Sequence, residues 1–430
     1  MGSCGKGSDC WRICGYFILY KRRCALCDEH SYSLTRKVIF PHGRAYAFLA
    51  GVIFIIYVVK NGDTLEEISK ETQIPVQKII ADNQLKYSDR LVPGQALLLL
   101  GEGETGGLGD GRIIGGYAYP FIDPPVLEEA LTALSEMLMF SYGFTFEGNL
   151  IAPPQGDEWM IERTKSAGAQ PWMVLTPLSS EGAFNNQLIK VLVENQELQD
   201  KLIGQMLAVM QEKGYEGVDI DFEYILPENR GQYAQFAGRV RETMNGYGYK
   251  VTVAAAPKVS ARQRGILVEG MDYALLGQNA DAVFLMTYEW GYIYGPPMAV
   301  APLDKVREVV EYAVTQIQPG QLILGIPNYG YDWTLPYERG LTRARTIGNV
   351  EAVRIAAENG AEIRYARIAQ SPWFTYMAAG QSHEVWFEDP RSITVKLDLA
   401  REYGLSGIGY WNLMRPFRAN WLLLGSGTEK

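Results

Sequence analysis

Residues 216–223 read E-G-V-D-I-D-F-E, and the architecture expected for the main domain follows from them. Apolar and acidic residues alternate in this stretch, which predicts a β-strand whose side chains point to opposite faces in turn. The intervening Val, Ile and Phe make one face apolar and suited to packing against helices. The other face carries three carboxylates, from Asp219, Asp221 and Glu223.

Three close carboxylates on a packed strand cannot all stay ionised, so at least one pKa should be raised. A carboxylic acid that is protonated near neutral pH is what a glycosidase uses to protonate a leaving oxygen. Glu223 stands last, just before a loop with Pro227, so we expect it at the carboxyl end of the strand. The alternative is a solvated edge strand with its acids facing water, but the apolar face and Gly217 favour the packed strand.

The octapeptide resembles the signature of glycoside hydrolase family 18, the chitinase-like TIM barrels. That signature, Asp-Gly-x-Asp-x-Asp-x-Glu, lies on the fourth barrel strand. Glu216 replaces the first Asp and the remainder matches. The resemblance implies that Glu223 is the proton donor, that Asp221 orients the N-acetyl group of the substrate, and that Asp219 tunes Asp221.

Composition excludes several other classes of function. A chain of 430 residues predicts two domains or three, and its net charge of −9 argues against a nucleic-acid ligand. All five Cys lie among the first 27 residues, and His383 is the only His after His42. Cys–His pairs, Ser-His-Asp triads and His-rich metal sites are therefore excluded from the main domain, and no cofactor or metal is expected there.

Residues 1–55 are predicted to be an extension of uncertain origin. Four cysteines could form a zinc site, although their C-x3-C-x9-C-x2-C spacing is not a standard one: Cys10, Cys14, Cys24 and Cys27. The apolar run 45–59 resembles a signal or anchor segment, but it is short for a membrane span and overlaps a strand that the next unit needs. We therefore do not expect membrane anchoring. Our hypothesis is that the natural chain starts near Val52.

Residues 56–100 read as a strand, two helices and a closing strand. Thr64 and Glu67 form a capping box for the first helix, and Pro75 begins the second. The segments YVVKNGDTLEEIS and DNQ…LVPGQALLL resemble a LysM module, which implies binding of N-acetylglucosamine-containing glycans. The glycan contacts that the resemblance implies are Gly62, Asp63, Thr64, Asn83, Leu91, Val92 and Pro93. The alternative is that these residues only form turns and caps.

Residues 101–111 (GEGETGGLGDG) predict a flexible linker by composition. From residue 112 to 425 strands and helices alternate, which predicts a parallel α/β fold. Eight candidate strands fit a TIM barrel: Ile113–Ala118, Met137–Phe144, Pro171–Thr176, Gly217–Phe222, Lys250–Ala255, Ala282–Tyr288, Leu322–Ile326 and Gly407–Trp411. A small α+β insertion is expected at about 331–388, between the seventh and eighth strands.

Active sites of such barrels lie at the carboxyl ends of the strands. The aromatic and acidic residues predicted there to bind substrate are Tyr117, Tyr142, Glu289, Tyr329 and Trp411. The segment LMTYEW resembles the sixth-strand motif of family 18, which implies that Tyr288 holds the acetamido carbonyl. GIGYWN resembles the eighth strand, which implies that Trp411 forms the floor under the reacting sugar.

The resemblance implies a substrate-assisted, retaining glycosidase. A LysM module joined to this barrel resembles the layout of spore cortex-lytic enzymes, so we expect an N-acetylglucosaminidase that acts on peptidoglycan at the cell wall or spore envelope. The expected partner is this polysaccharide, with no nucleic acid and no protein partner inferred. The alternatives are a chitinase and a non-catalytic glycan-binding protein; the presence of Glu223 counts against the latter.

Overall fold

The computed structural model describes residues 36–40, 44–49, 52–86, 90–178 and 184–425. They form a four-stranded antiparallel sheet, a closed barrel and a five-stranded antiparallel sheet. In these ranges, no helix combines the length and the apolar character that crossing a bilayer requires. The five cysteines lie outside the described residues, so the zinc-site hypothesis stays a prediction, as does the hypothesis of a start near Val52.

The N-terminal module consists of one sheet and two helices. Its strands are β1 (Arg36–Phe40), β2 (Arg44–Leu49), β3 (Val52–Val58) and β4 (Ala96–Leu100), paired in that order. Its helices are α1 (Leu65–Thr72) and α2 (Val76–Asp82). The predicted strand–helix–helix–strand order is confirmed. Within the apolar run 45–59, residues 45–49 lie in β2 and residues 52–58 in β3, so the described part of the run is not helical.

Local hydrogen bonds explain where these helices begin and end. The hydroxyl of Thr64 accepts from the backbone N–H of Glu67 at 3.2 Å and caps α1. Helix α2 begins directly after Pro75. The Asn83 amide that follows α2 donates to the carbonyl of Leu98 at 2.8 Å and accepts from its N–H at 2.7 Å. Asn83 thereby fastens the end of α2 to β4.

The barrel begins at residue 113. Its first seven strands, with the short antiparallel β7 among them, are β5 (Ile113–Ala118), β6 (Glu136–Phe144), β7 (Leu150–Ile151), β8 (Gln170–Leu175), β9 (Gly217–Ile220), β10 (Lys250–Ala255), β11 (Ala282–Leu285) and β12 (Leu322–Pro327). The helices between them are α3 (Pro124–Leu131), α4 (Glu158–Ser166), α5 (Asn186–Val193), α6 (Gln196–Lys213), α7 (Arg230–Asn245), α8 (Tyr273–Asn279) and α9 (Leu303–Ala313).

The insertion separates the seventh barrel strand from the eighth. It contains β13 (Gly330–Leu335), β14 (Arg345–Ile347), α10 (Asn349–Glu358), β15 (Arg364–Ala366), β16 (Ser371–Ala378) and β17 (Gln381–Trp386). Helix α11 (Pro390–Glu402), strand β18 (Gly407–Trp411) and helix α12 (Arg418–Leu424) complete the chain. Parallel pairing of β18 with β5 and of β5 with β6 closes the barrel, which confirms the predicted fold and the place of the insertion.

The N-terminal module is docked on the rest of the molecule. Val92 is 2% exposed and packs into the core of the insertion. The carbonyl of Pro93 accepts from the N–H of Ile363 at 2.9 Å, and the guanidinium of Arg391 donates to the carbonyl of Gly94 at 3.0 Å. These contacts fix one edge of the module against the insertion.

The prediction of a flexible linker at 101–111 is wrong for its second half. The N–H groups of Gly106, Leu108 and Gly109 donate to three carbonyls at the end of α12, at 2.7, 3.1 and 2.8 Å. Leu108 is also buried, at 3% exposure. Glycine-rich composition indicates flexibility only where the backbone lacks partners, and here the end of α12 supplies them.

Candidate active site

The alternation predicted for residues 216–223 is present, although β9 ends at Ile220 rather than at Phe222. Val218, Ile220 and Phe222 are fully buried in the core between strands and helices. The Phe222 ring stacks on the Tyr233 ring of α7, with centroids 5.7 Å apart. Because this apolar face is fixed against α7, the acidic face is turned into the barrel.

Asp219 is the innermost acid of this face. It is fully buried, and its two carboxylate oxygens accept from the hydroxyl of Tyr117 at 2.9 Å and from that of Thr252 at 2.5 Å. Burial raises the pKa of Asp219 to about 6, and the two hydroxyls act in the opposite direction. Tyr117 comes from β5 and Thr252 from β10, so Asp219 is held from two sides of the barrel.

Asp221 lies next along the strand direction and is also buried, at 6% exposure. Burial raises its pKa well above the ordinary value, and the charges of Glu223 and Asp219 raise it further. Its Oδ1 atom is buried without a hydrogen-bond partner among the described residues. A buried acceptor without a donor is costly, so this oxygen is available to a donor that a ligand supplies.

Glu223 is half-buried at the opening of the barrel. Burial raises its pKa, and the neighbouring carboxylate of Glu289 raises it further. Tyr288 is in the same group, because the charges of Asp221 and Glu223 add to burial in raising the pKa of its phenol. The charges of Asp221 and Glu223 thus act on each other and on Tyr288, and a shared role of the three in one site stays a prediction.

Glu289 is oriented by two tyrosines. The hydroxyl of Tyr329 donates to its Oε1, and the hydroxyl of Tyr331 donates to the same oxygen at 3.0 Å. Sequence reasoning missed Tyr331, which it took only as the first residue of the insertion. Its position one residue after Gly330, at the start of β13, brings the insertion into the site.

Trp411 ends β18 and is half-buried in a cluster of aromatic rings. Its ring centroid lies 4.9 Å from that of Phe140 and 5.6 Å from that of Tyr117, both in edge-to-face geometry. These contacts hold the indole in one orientation near the carboxylates. A role as the floor of a sugar site stays a prediction.

The structure corrects the prediction that Tyr142 contacts substrate. Tyr142 is fully buried outside the barrel interior, where its hydroxyl donates to Asp157 at 2.7 Å. Its strand shifts register against β8 between Met139 and Tyr142, and this irregularity, which the sequence does not reveal, breaks the alternation. Tyr117 and Tyr329 are 2% and 4% exposed, and their hydroxyls donate to Asp219 and Glu289, so their contact with substrate stays a prediction.

The residues expected to bind glycan in the N-terminal module fall into two groups. Gly62 and Thr64 are exposed and Leu91 is half-buried, so they stay candidates. Three others are committed to structure, which corrects the prediction for their side chains: Asp63, Asn83 and Val92. The Asp63 carboxylate accepts from the Tyr57 hydroxyl at 2.6 Å. The Asn83 amide binds the β4 backbone, and Val92 is buried in the insertion core.

Comparison with known proteins agrees with this geometry. Residues 179–415 match the family model of glycosyl hydrolases family 18, and residues 57–99 match that of the LysM domain. The cortical fragment-lytic enzyme of Bacillus subtilis (strain 168) is 34% identical over 422 residues, covering 86% of this chain and 97% of that protein. The di-N-acetylchitobiase of Rattus norvegicus is 28% identical and covers 49% of this chain and 64% of that protein.

Among solved structures, the spore cortex-lytic enzyme SleL of Bacillus cereus is similar along its entire length. The TM-score is 0.80 at 28% identity, and the match covers 88% of this chain and 100% of that one. The family match extends over more than half of the chain and includes the carboxylates of β9 and the residues that follow them. The chain therefore belongs to glycosyl hydrolase family 18 and is a glycosidase that carries a LysM domain ahead of its barrel.

Proposed function

We propose that the protein hydrolyses the glycan strands of bacterial peptidoglycan next to N-acetylglucosamine, by a substrate-assisted mechanism that retains the anomeric configuration. The observation that carries the proposal is the buried Oδ1 of Asp221, which has no hydrogen-bond partner in the described part of the chain and lies within the electrostatic reach of Glu223. A 2-acetamido sugar supplies the missing N–H donor. It also supplies the nucleophile, so the protein needs none of its own.

In this mechanism Glu223 acts first as an acid and then as a base. Its carboxylic acid protonates the glycosidic oxygen as the acetamido carbonyl oxygen attacks the anomeric carbon, so the leaving sugar departs with the proton. The intermediate is an oxazolinium ion. Its N–H group donates a hydrogen bond to Asp221, and the hydroxyl of Tyr288 approaches its oxygen. Glu223, now a carboxylate, removes a proton from the water that opens the ring. The raised pKa of Glu223 supports its role as the acid near neutral pH.

The relatives support spore cortex as the source of the glycan. Both the cortical fragment-lytic enzyme of Bacillus subtilis and the spore cortex-lytic enzyme of Bacillus cereus align over nearly their whole length, including the LysM domain. Action on cortex places the protein in the spore envelope. The chitobiase match covers only about half of this chain, which makes chitin the weaker alternative.

The Glu223→Gln variant tests the proposal. We expect it to abolish the release of reducing sugars from purified cortex fragments and to leave fragment binding unchanged. Glu216→Gln is the matched control, since this exposed carboxylate belongs to the same octapeptide but lies before the buried face. Turnover that survives in Glu223→Gln would remove Glu223 from the acid role. Mass spectrometry of the products beside those from chitin oligomers separates the two glycans.

A further inference from the structure

A cavity of about 360 Å³ lies where the N-terminal module meets the barrel and the insertion. In the described ranges, three parts of the chain enclose it: residues 83–86, 90, 95 and 96 of the N-terminal module, helix α10 with residues 387–390 at the start of α11, and residues 415–417 and 419 after β18. Asn83 is the only residue that it shares with the predicted LysM contacts. The cavity exists only because the module is docked, so neither unit would have it alone.

The apolar wall of the cavity suits methyl groups rather than a sugar ring. Val350, Val353 and Ala357 follow one another at helical spacing and give α10 an aliphatic face toward the cavity. The two aromatic residues of the lining, Phe387 and Phe417, are 2% and 4% exposed. Among the described lining residues, no broad ring face is therefore open for a pyranose to stack on, as aromatic sugar sites require.

The charges of the lining favour an anion although the chain as a whole is acidic. Within the described part of the chain, four cationic side chains line the cavity: Lys86, Arg90, Arg354 and Arg415. Arg354 is itself paired with Glu358 at 2.9 Å and with Glu351 at 3.5 Å, so Arg415 is the main candidate for holding an anion. The three carboxylates of the lining each have a cationic partner at 2.6–2.8 Å: Glu351 with Arg345, Glu388 with Lys396, and Asp389 with Arg391. These three partner cations lie outside the lining, so they offset its acids without occupying the cavity.

Arg415 is the cation best placed to hold a ligand carboxylate. Among the described residues, no carboxylate forms an ion pair with it. Its side chain lies over Gly348, the residue that precedes the first turn of α10. A Cβ on Gly348 would lie 3.2 Å from the Arg415 Cδ, so the two are in direct contact.

Glu388, in contrast to Arg415, requires a hydrogen-bond donor from the ligand. The residue is 1% exposed, and its Oε1 has no hydrogen-bond partner among the described residues, whereas its Oε2 accepts from Lys396 at 2.8 Å. A buried acceptor of this kind calls for an N–H donor. The cavity thus offers sites for an anion, an N–H group and small apolar groups together.

We propose that this cavity binds the short, alanine-containing anionic peptides that peptidoglycan carries on its muramic acid residues. Such a peptide has a carboxylate for Arg415, amide N–H groups for Glu388 and methyl groups for the α10 face. The inference rests on the proposed function and extends it from the glycan to its peptide. Arg415 also affects the active site, because its charge acts on Tyr331, and Tyr331 orients Glu289 there.

Calorimetry on the full-length chain tests the cavity without any need for hydrolysis. The probe is the free dipeptide L-alanyl-γ-D-glutamate, with chitobiose as the comparison ligand. We expect the dipeptide to bind, Val353→Trp to abolish binding by filling the cavity, and Arg415→Gln to weaken it about tenfold, as loss of a charge-assisted hydrogen bond does. Val191→Trp is the matched control, since this valine is exposed on α5, a barrel helix that does not line the cavity.

The proposal is overturned if the wild-type chain does not bind the dipeptide, or if Val353→Trp binds it as well as Val191→Trp does. It is also overturned if Val353→Trp and Arg415→Gln lower the affinity for chitobiose instead. Thermal unfolding of Val353→Trp shows whether the variant is folded, and Arg415→Gln gives an independent answer if it is not. If cortex fragments are not hydrolysed at all, the proposed function fails. The dipeptide titration then still shows whether the cavity binds the peptide.

Discussion

The hydroxyl of Tyr117 donates a 2.9 Å hydrogen bond to the buried carboxylate of Asp219, across 102 residues of sequence and from the first barrel strand to the fourth. This bond favours the ionised form of Asp219 and opposes the effect of burial on its pKa. Because the charge of Asp219 in turn raises the pKa of Asp221, the buried phenol of Tyr117 influences the protonation of the site.

Tyr117→Phe should therefore shift the pH dependence of hydrolysis. The variant keeps the ring that packs on Trp411 and loses only the hydroxyl. Hydrogen bonds to charged groups contribute about 1.5–3 kcal/mol, so the pKa of Asp219 should rise by on the order of one unit. The profile of kcat against pH measures this rise as an upward shift of the limb that Asp219 controls. Tyr410→Phe, another buried barrel tyrosine, is the control, because its hydroxyl binds Asn420; a profile unchanged in both variants would contradict the coupling.

Asp221→Asn removes both the acetamide acceptor and a negative charge beside Glu223. We expect the rate to fall by orders of magnitude, as loss of a group that acts in the transition state does. The charge of Glu223 raises the pKa of Asp221. Because this repulsion is reciprocal, a charge on Asp221 disfavours ionisation of Glu223, and loss of that charge should lower the pKa of Glu223. The alkaline limb of kcat/KM, where Glu223 loses its proton, should then move to lower pH. An unaltered limb in the residual activity would show that the two groups titrate independently.

The burial of Glu136 predicts that the folded protein loses stability as the pH rises, independently of catalysis. This glutamate begins β6, and burial raises its pKa to about 8, with a further contribution from Asp219. Its folded pKa lies above its unfolded value of about 4.5, so the stability it contributes is fully present below pH 4.5 and is lost as the pH rises to about 8. Glu136→Gln should thus gain stability relative to wild type over this window, by up to a few kcal/mol.

Urea unfolding at a series of pH values measures this difference. Glu212→Gln serves as the control, since Glu212 is exposed on the surface near the end of α6. Stability curves for Glu136→Gln and wild type that run parallel from pH 5 to pH 8 would show that the Glu136 carboxyl is ionised at no cost.

The sequence predicted what depends on neighbours in the chain. The alternation of residues 216–223, the caps of α1 and the succession of strands and helices are local patterns, and each is present. Tyr142 was misplaced because a register shift against β8 is a property of two strands together. The role of Tyr331 depends on its contact with Glu289, and the fixed position of Leu108 depends on its hydrogen bond to α12. No local sequence pattern encodes either contact.

A side chain at position 94 should disrupt the docking of the N-terminal module. Gly94 has a φ of +84°, and a Cβ there would lie 1.7 Å from the carbonyl oxygen of Ile363. Gly94→Ala should therefore push the module away from the insertion and expose the segment 101–111 to protease. Gly62→Ala is the matched control, because φ is +88° there but nothing lies within 4 Å of the added carbon. Both variants bear the cost of left-handed backbone, about 1–2 kcal/mol, and only Gly94→Ala adds the collision. Limited proteolysis should then cut Gly94→Ala many times faster than Gly62→Ala, while equal rates would mean that the module is not held at this contact.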